Sequence, residues 1–311
     1  MPRVQTSFPH SAFSYGIPNI TGTVLFVNSA AANASNGNDG LSPDKPLATL
    51  DGAISHANLT ANNGDLILVM PNHSETVTGA AGITADVAGV TIRGLGNYNQ
   101  RPRFLMDGAT TVDVLVSAAD VTFENLVFAS GHADVVRCFR ITAAGCSLIN
   151  IEFDDNVVDE NWLTPIKATS TTDNNADGLR VIGCRWTSAD AAGLEFIEIN
   201  ADLKHLIVRD NVVVHEGTAS ALILCATGKD IQYCDVRNNF LAHKMTANAL
   251  LVNNDTTANS GIIASNRVGH ADVTTTHNLG ITALGCRLFD NLSVSTDSLS
   301  GFVLPAIDVD S

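Results

Sequence analysis

One eight-residue frame, seen in residues 121–128 (VTFENLVF), recurs through most of the chain. If the fifth residue of each copy is taken as its reference position, the copies follow one another at intervals of 25 to 33 residues. The reference positions are Gly94, Asn125, Asn150, Gly183, Asp210, Asn238, Ser265 and Asp290. A period in this range, built from strand-like units, is typical of a solenoid in which successive repeats stack on one another.

The frame alternates between apolar and polar positions. Two residues before each reference position the side chain is always apolar, whereas its neighbours are mostly polar, as at Thr122 and Glu124. This alternation predicts a β-strand with one buried face. Stacking in register would place like side chains above one another, about 4.8 Å apart. The apolar column is Ile92, Phe123, Leu148, Val181, Val208, Val236, Ile263 and Leu288.

Asparagine follows the reference position in the last four copies. Because like side chains stack in a solenoid, we predict an asparagine ladder within a turn, in which each amide bonds its neighbours above and below. Asparagine also tolerates left-handed backbone, which suits a turn. The alternative is that surface turns simply favour asparagine. The four residues are Asn211, Asn239, Asn266 and Asn291.

These columns resemble those of the pectate-lyase-like superfamily over roughly residues 64–304. The resemblance implies an all-β fold, a single-stranded right-handed parallel β-helix solenoid of about eight or nine coils with an N-terminal arm and a capping helix. The segment FVNSAAANASNGNDGLSPDKPLATLDGAISHA, followed by GDLILVMPNHSETV, resembles the entry module of phage-encoded and bacterial β-helix proteins. Small phage virion proteins of this fold are the nearest resemblance.

Residues 1–23 lack the period and are predicted to form an arm. Phe8, Phe13 and Tyr15 would dock this arm onto a particle or another partner, although a disordered leader is the alternative. Aromatic side chains in a segment with no core of its own favour the docking interpretation.

Residues 24–63 are expected to close the base of the solenoid, and residues 64–311 to form the parallel β-helix with a C-terminal lid. The first of these regions contains a short strand, a polar loop and helical spacing over 47–59, which Thr49 or Asp51 could cap. A helix there would cover the open end of the first coil. At the other end, residues 300–307 (SGFVLPAI) would fold over the last coil as a hydrophobic lid.

Composition excludes several classes of function. The formal net charge of −15 argues against binding nucleic acid or an anionic membrane. No stretch has the apolar length of a signal peptide or a transmembrane helix, so we expect synthesis in a host cytoplasm and localisation in the virion. The six cysteines form no CxxC pair and are expected to be small core residues. Cys146, Cys234 and Cys286 share one column, but not in adjacent coils. No cofactor is predicted.

Carboxylates in two places are candidates for catalysis. Asp154 and Asp155 begin the segment 154–165 (DDNVVDENWLTP), which lengthens one repeat interval and would form a loop on one face. Glu195 and Glu198 are three apart in a predicted strand and so face opposite sides. A glycosidase needs two carboxyls facing one sugar, whereas acidic clusters in an acidic chain are commonly solvated turns. We therefore assign no catalytic residue.

Aromatic residues bear on whether a surface glycan is a partner, because carbohydrate grooves commonly carry exposed aromatic side chains. The chain has two tryptophans and three tyrosines. Trp186 falls in the core column with Phe128 and Phe153, so Trp162 is predicted to be the exposed platform.

Three histidines occupy one position of three consecutive copies. His215, His243 and His270 would stand about 5 Å apart up one face, where they could bind a metal ion or respond to pH. Metal ligands converge on one point, however, and a straight column diverges, so stacked imidazoles on a turn are favoured and no metal is assigned. His73 and Glu75 in PNHSET are expected to stabilise a turn.

These expectations together favour a non-enzymatic structural protein of a phage particle, most simply a capsid decoration or head spike anchored by its N-terminal arm. A homotrimer follows from the resemblance alone. The alternative on the same fold is a tail-associated spike, or a depolymerase or lyase acting on host polysaccharide. A secreted adhesin or lyase is the third hypothesis.

Overall fold

The computed structural model describes residues 20–155, 157, 159–168, 173–188, 190–216, 221–243, 250–253, 258–270, 280–281, 285–295 and 301–302. Over these residues the chain is an all-β parallel solenoid, as predicted. Almost no helix accompanies the strands: the described part has the helix Leu50–Ile54 and a 3₁₀ turn at Tyr98–Gln100.

Three sheets run along the solenoid. Sheet A contains the repeated frame and has ten parallel strands. They are Val24–Val27, Leu66–Val69, Thr91–Gly94, Thr122–Glu124, Ser147–Ile149, Arg180–Ile182, Ile207–Arg209, Cys234–Arg237, Gly261–Ala264 and Cys286–Phe289. Every apolar residue of the predicted column meets its counterpart in the next strand, as Phe123 meets Leu148 and Leu148 meets Val181. The predicted register is therefore confirmed.

Between Leu66 and Ile281, each strand of sheet A is followed by a strand of sheet B and then by a strand of sheet C. The strands of sheet B are Ser74–Thr78, Arg103–Asp107, Val127–Ser130, Glu152–Asp155, Arg185–Ser188, Val212–His215, Phe240–His243, Arg267–His270, Leu292–Ser295 and the antiparallel Gly301–Phe302. The strands of sheet C are Ile83–Ala85, Val114–Val116, Phe139–Ile141, Ile166–Ala168, Ile197–Ile199, Ala221–Cys225, Leu250–Asn253 and Gly280–Ile281. Seven full turns separate the first and last of these eight strands. A minor ribbon pairs Leu203–Lys204 with Ile231–Gln232.

Aromatic residues fill the middle of the solenoid. Phe104, Phe128, Phe153 and Trp186 are consecutive register partners in sheet B and are fully buried. The rings of Phe104 and Phe128 stack with centroids 5.1 Å apart, and Phe139 from sheet C meets Phe128 edge-on at 4.9 Å. Offset and edge-to-face pairs of this kind add to the free energy gained by burying apolar area. The predicted core position of Trp186 is confirmed.

A left-handed residue turns the chain from sheet A into sheet B. From Asn125 onward this residue is the reference position of the frame, and the asparagine ladder follows it. The left-handed conformation therefore belongs to the residue before each ladder asparagine. Positive φ angles occur at Asn125 (59°), Asn150 (52°), Gly183 (65°), Asp210 (58°), Asn238 (57°), Ser265 (55°) and Asp290 (49°).

The predicted asparagine ladder is present and buried. The Nδ2 of Asn211 donates to the Oδ1 of Asn239, that of Asn239 to Asn266, and that of Asn266 to Asn291, each over 2.9 Å. Each Nδ2 also donates to a backbone carbonyl of the preceding coil, and each Oδ1 beyond Asn211 also accepts a backbone N–H. All four residues are at most 3% exposed, which excludes the surface-turn alternative.

The base of the solenoid is closed as expected, by a shorter helix. Leu50–Ile54 spans five residues of the predicted 47–59, and the side chain of Thr49 caps it by accepting the N–H of Gly52 at 3.1 Å. Asp51, the other candidate cap, instead accepts the N–H of Thr84. Leu50, Ala53 and Ile54 are buried.

A buried histidine joins this base to the first coil. The Nδ1 of His73 accepts the N–H of Ser29 at 2.9 Å, and its Nε2 lies 3.1 Å from the Oε2 of Glu75. Because Nδ1 accepts, the ring proton resides on Nε2 and is donated to Glu75. The same carboxylate oxygen accepts the N–H of Leu50 at the start of the helix. The arrangement is consistent with the predicted structural role of His73 and Glu75.

Two predicted regions fall largely outside the described residues. The arm residues Phe8, Phe13 and Tyr15 lie there, as does most of the predicted lid at 300–307. Within the described part, Thr23 donates its N–H to the buried Asp65, and Gly301–Phe302 pairs with Leu292–Ser295.

Candidate functional site

A groove of about 890 Å³ runs across the outer face of sheet B and the turns that lead into it. One wall is the segment 97–101 between sheets A and B of an early coil, and the floor comes from residues of the next four coils. Outward positions alternate along each strand, so residues two apart in Glu152–Asp155 both face the groove.

Two arginine–carboxylate pairs line the groove. The Nη1 of Arg101 lies 2.8 Å from the Oε2 of Glu152, and the Nη1 of Arg103 lies 2.9 Å from the Oδ2 of Asp154. Arg101 also donates from Nη2 to the carbonyls of Leu126 and Asn150. These bonds hold its guanidinium group against two coils. Burial lowers the pKa of the Arg101 guanidinium, and the neighbouring Glu152 opposes this effect.

One aromatic ring stands at the rim of the groove. Tyr98 is 91% exposed and has a left-handed φ of 50° in its 3₁₀ turn. The turn is held because the Nδ2 of Asn125 donates to the carbonyls of Gly94 and Gly96. Arg185, exposed in the strand next to Glu152, faces the same groove. The groove thus combines a planar ring with guanidinium and carboxylate groups. Together these groups suit a polar ligand with many hydroxyl groups.

The four predicted catalytic candidates are divided between two faces of the solenoid. Asp154 lines the groove, paired with Arg103, and Asp155 ends the same strand as the register partner of Ser130. Glu198 lies on sheet C, where its Oε2 is 2.5 Å from the Nζ of Lys167.

Glu195 precedes the same sheet C strand and is 5% exposed. Burial first, and the charge of Glu198 second, raise the pKa of Glu195. The described geometry therefore brings Glu195 towards Glu198 but keeps both away from the groove. The two predicted pairs do not form one site.

Trp162 corrects the prediction of an exposed platform. It is fully buried, and its Nε1 donates to the carbonyl of Asp154 over 3.0 Å. The neighbouring Asn161 is also buried and accepts the N–H of Asp134. The insertion thus folds back and packs its large ring against the end of sheet B, because burying the indole and satisfying its N–H are both favourable. The exposed aromatic at the groove is Tyr98.

The histidine column is confirmed only as a backbone register. His215, His243 and His270 are Cα partners in neighbouring strands, continued by Ser188 on one side and Ser295 on the other. The side chains of these histidines lie outside the described residues. Elsewhere in the described part, no group of three or more His, Cys, Asp or Glu side chains is placed to hold a metal ion. Metal binding by this column stays a prediction.

Sequence reasoning missed most of the groove. Tyr98, Arg101, Arg103, Glu152 and Arg185 were not singled out. One signal was available: the 31-residue interval from Gly94 to Asn125 is longer than most others, and the excess forms the wall that carries Tyr98 and Arg101.

A second missed feature is the buried carboxylate of Asp113 on the sheet C side. Its Oδ2 accepts from the Nε of Arg137 at 2.7 Å and from the Nε of Arg140 at 2.9 Å, and its Oδ1 accepts the N–H of Ala81. Asp113 is fully buried while both arginines are partly exposed. The cluster links three coils and has a structural role.

No family model matches this chain, and comparisons with curated proteins and with solved structures also find no match. The helices in the described residues are too short to cross a membrane.

Proposed function

We propose that this chain is a non-enzymatic structural protein of a phage particle, a capsid decoration or head spike whose N-terminal arm docks on the particle while the solenoid projects. The entry-module resemblance supports the phage context. The non-enzymatic part rests on one observation: outward carboxylates form ion pairs with basic residues that lie one or two coils away. These pairs are Arg93–Glu124, Arg101–Glu152, Arg103–Asp154, Lys167–Glu198, Arg209–Asp235 and Lys229–Asp173.

Such pairs suit a rigid display surface better than a reaction centre. Surface ion pairs contribute little stability one by one, but networks across stacked coils hold side chains in place. A groove of fixed polar groups beside Tyr98 would bind a surface glycan without changing it, because Glu152 and Asp154 are already paired with arginines. The particle would then carry a glycan-binding rod.

An apolar strip on the outer face of sheet B supports self-association, and a homotrimer is the form we propose. Val212, Val214 and Phe240 lie on two neighbouring strands and are each between 37% and 39% exposed. Leu292 is equally exposed and lies two strands further on, beyond Arg267. Clustered exposed apolar side chains mark interaction surfaces. Light scattering of the purified wild-type protein should give the mass of three chains. Phe240→Glu should lower this mass, and an unchanged mass would argue against this surface.

The docking role is tested with the full-length chain. The triple change Phe8→Ser, Phe13→Ser and Tyr15→Ser should abolish co-sedimentation with particles that lack the protein. Tyr98→Ser is the matched control, because it removes one exposed aromatic from the solenoid and should leave particle binding unchanged. Unimpaired binding of the triple variant would refute docking by the arm.

A depolymerase or lyase is the second candidate, favoured by the two carboxylates that share the groove. Glu152 and Asp154 lie two residues apart on one outward face, with their Cα atoms about 6.6 Å apart along the strand. Glycosidases use two carboxyl groups that face one sugar, so these two residues are the pair to test. Reducing-sugar and unsaturated-uronide assays on host capsule test it. Product that disappears in Glu152→Gln or Asp154→Asn would replace the non-enzymatic proposal.

A further inference from the structure

Two cysteines face each other across an intervening coil near the C-terminal end of the solenoid. Cys234 and Cys286 occupy the same position of sheet A, separated by Gly261, which is the register partner of both. Their Sγ atoms are 3.8 Å apart. The contact exists because Gly261 places no side chain between them. Sequence spacing had indicated no close approach, since the two cysteines are not in adjacent coils.

Position 261 accepts only glycine in this arrangement. Its φ is 132°, and a Cβ there would lie 2.2 Å from the carbonyl oxygen of Cys234. L-residues rarely adopt such a backbone conformation. The backbone conformation at Gly261 therefore keeps the space between the two sulfur atoms free of a side chain.

The pair cannot close into a disulfide within the solenoid. Strands two apart in a sheet are separated by about 9.6 Å, whereas bridged cysteines need Cα atoms within about 7 Å. Both thiols are free in the structure. Oxidation to a disulfide would require the coil between them to be displaced.

Two facing thiols that cannot bridge are suited to a soft cation. Thiolate ligands select soft d¹⁰ ions such as Cu(I), and a metal–thiolate bond is about 2.3 Å long. A linear sulfur–metal–sulfur unit therefore spans about 4.6 Å, which each sulfur reaches by moving about 0.4 Å through a small χ1 rotation. Cys286 is partly exposed beside the exposed Gly285, so an ion has a path to the pair.

Either thiol can donate to the other across the 3.8 Å contact between the two Sγ atoms. Thiols bind a metal ion only after they lose their protons. When a monovalent cation binds to this pair, two metal–sulfur bonds form, the S–H bonds of Cys234 and Cys286 break, and two protons are released to solvent. No electron is transferred.

We propose that Cys234 and Cys286 form a two-coordinate site for a soft monovalent cation of the Cu(I) or Ag(I) class. The bound ion would link the first and third of three successive strands of sheet A and so strengthen the end of the solenoid that lies farthest from the helix Leu50–Ile54. The site is independent of the groove and of particle docking.

Silver binding to the full chain in chloride-free buffer tests the site. With an excess of N-acetylcysteine as a monothiol competitor, the wild type should retain one Ag(I) per chain by native mass spectrometry. Two thiols on one chain outcompete single thiols through effective concentration, so Cys234→Ser and Cys286→Ser should each bind at least 100-fold more weakly. Cys225→Ser is the matched control, a buried cysteine of sheet C, and should still retain one ion.

Each outcome bears on the proposal. Loss of silver in both column variants, with retention in Cys225→Ser, supports it. It is overturned if the wild type retains no ion, or if either column variant retains it. Should a serine variant fail to fold by circular dichroism, anomalous diffraction from silver-soaked wild-type crystals decides instead. A peak between the two Sγ atoms supports the site, and a peak elsewhere or no peak refutes it.

Discussion

Replacing Asn239 by alanine should remove four buried hydrogen bonds at once. Its Nδ2 donates to the Oδ1 of Asn266 and to the carbonyl of Val208, each over 2.9 Å. Its Oδ1 accepts from the Nδ2 of Asn211 at 2.9 Å and from the Asn211 N–H at 3.1 Å. A net contribution of about 1 kcal/mol for each bond predicts a loss of about 4 kcal/mol.

The aspartate variant at the same position separates hydrogen bonding from packing. Asn239→Asp keeps the volume and one acceptor oxygen, but it points a second oxygen at the acceptors of Asn266 and Val208. We expect it to be destabilised at least as much as the alanine variant at pH 7. Desolvation and these acceptors raise the carboxyl pKa in the folded state above its unfolded value, so stability is highest below the unfolded pKa and falls as pH rises.

Urea unfolding followed by far-UV circular dichroism measures the loss. Solenoids can unfold locally from one end, so hydrogen exchange of the strands Ile207–Arg209, Cys234–Arg237 and Gly261–Ala264 reports on the ladder directly. Asn58→Ala is the control, because that asparagine is exposed and its loss should change stability by about 0.5 kcal/mol or less. The reasoning fails if Asn239→Ala stays within about 1 kcal/mol of the wild type.

Three further changes test other parts of the structure. Asp113→Ala should cost about 3 kcal/mol in urea unfolding, since it leaves two partly buried arginines without their carboxylate; the exposed Asp86→Ala should cost almost nothing, and equal effects would contradict the cluster. His73→Ala should lower stability by about 3 kcal/mol through two lost hydrogen bonds and a cavity beside Phe104, and should speed exchange of the Leu50 amide; unchanged exchange would argue against the link. Glu195→Gln should raise the melting temperature at neutral pH. The folded-state pKa of Glu195 is raised, so wild-type stability falls as pH increases through it, and the gain should vanish in acid; a gain independent of pH would point to another cause.

The fold could be predicted from the sequence because its rules are local and periodic. Alternation of apolar and polar residues defines a strand with one buried face, and recurrence of the same frame defines which residues stack. Phe123 above Leu148, the burial of Trp186 and the four-membered asparagine ladder all follow from those two rules.

Only the tertiary structure showed which side chains of different coils contact one another and which lie on the surface. Arg101 meets Glu152 from 51 residues away because an irregular wall bends over two coils, and no period encodes that bend. Trp162 is buried, and its Nε1 donates to a carbonyl of sheet B, whereas its place outside the repeated columns had predicted an exposed ring. Cys234 contacts Cys286 only because Gly261 has no side chain to separate the two sulfur atoms. The physical reason is common to all three. Stacking repeats fixes backbone register, whereas contacts across coils depend on loop path and on the space that neighbouring side chains leave empty.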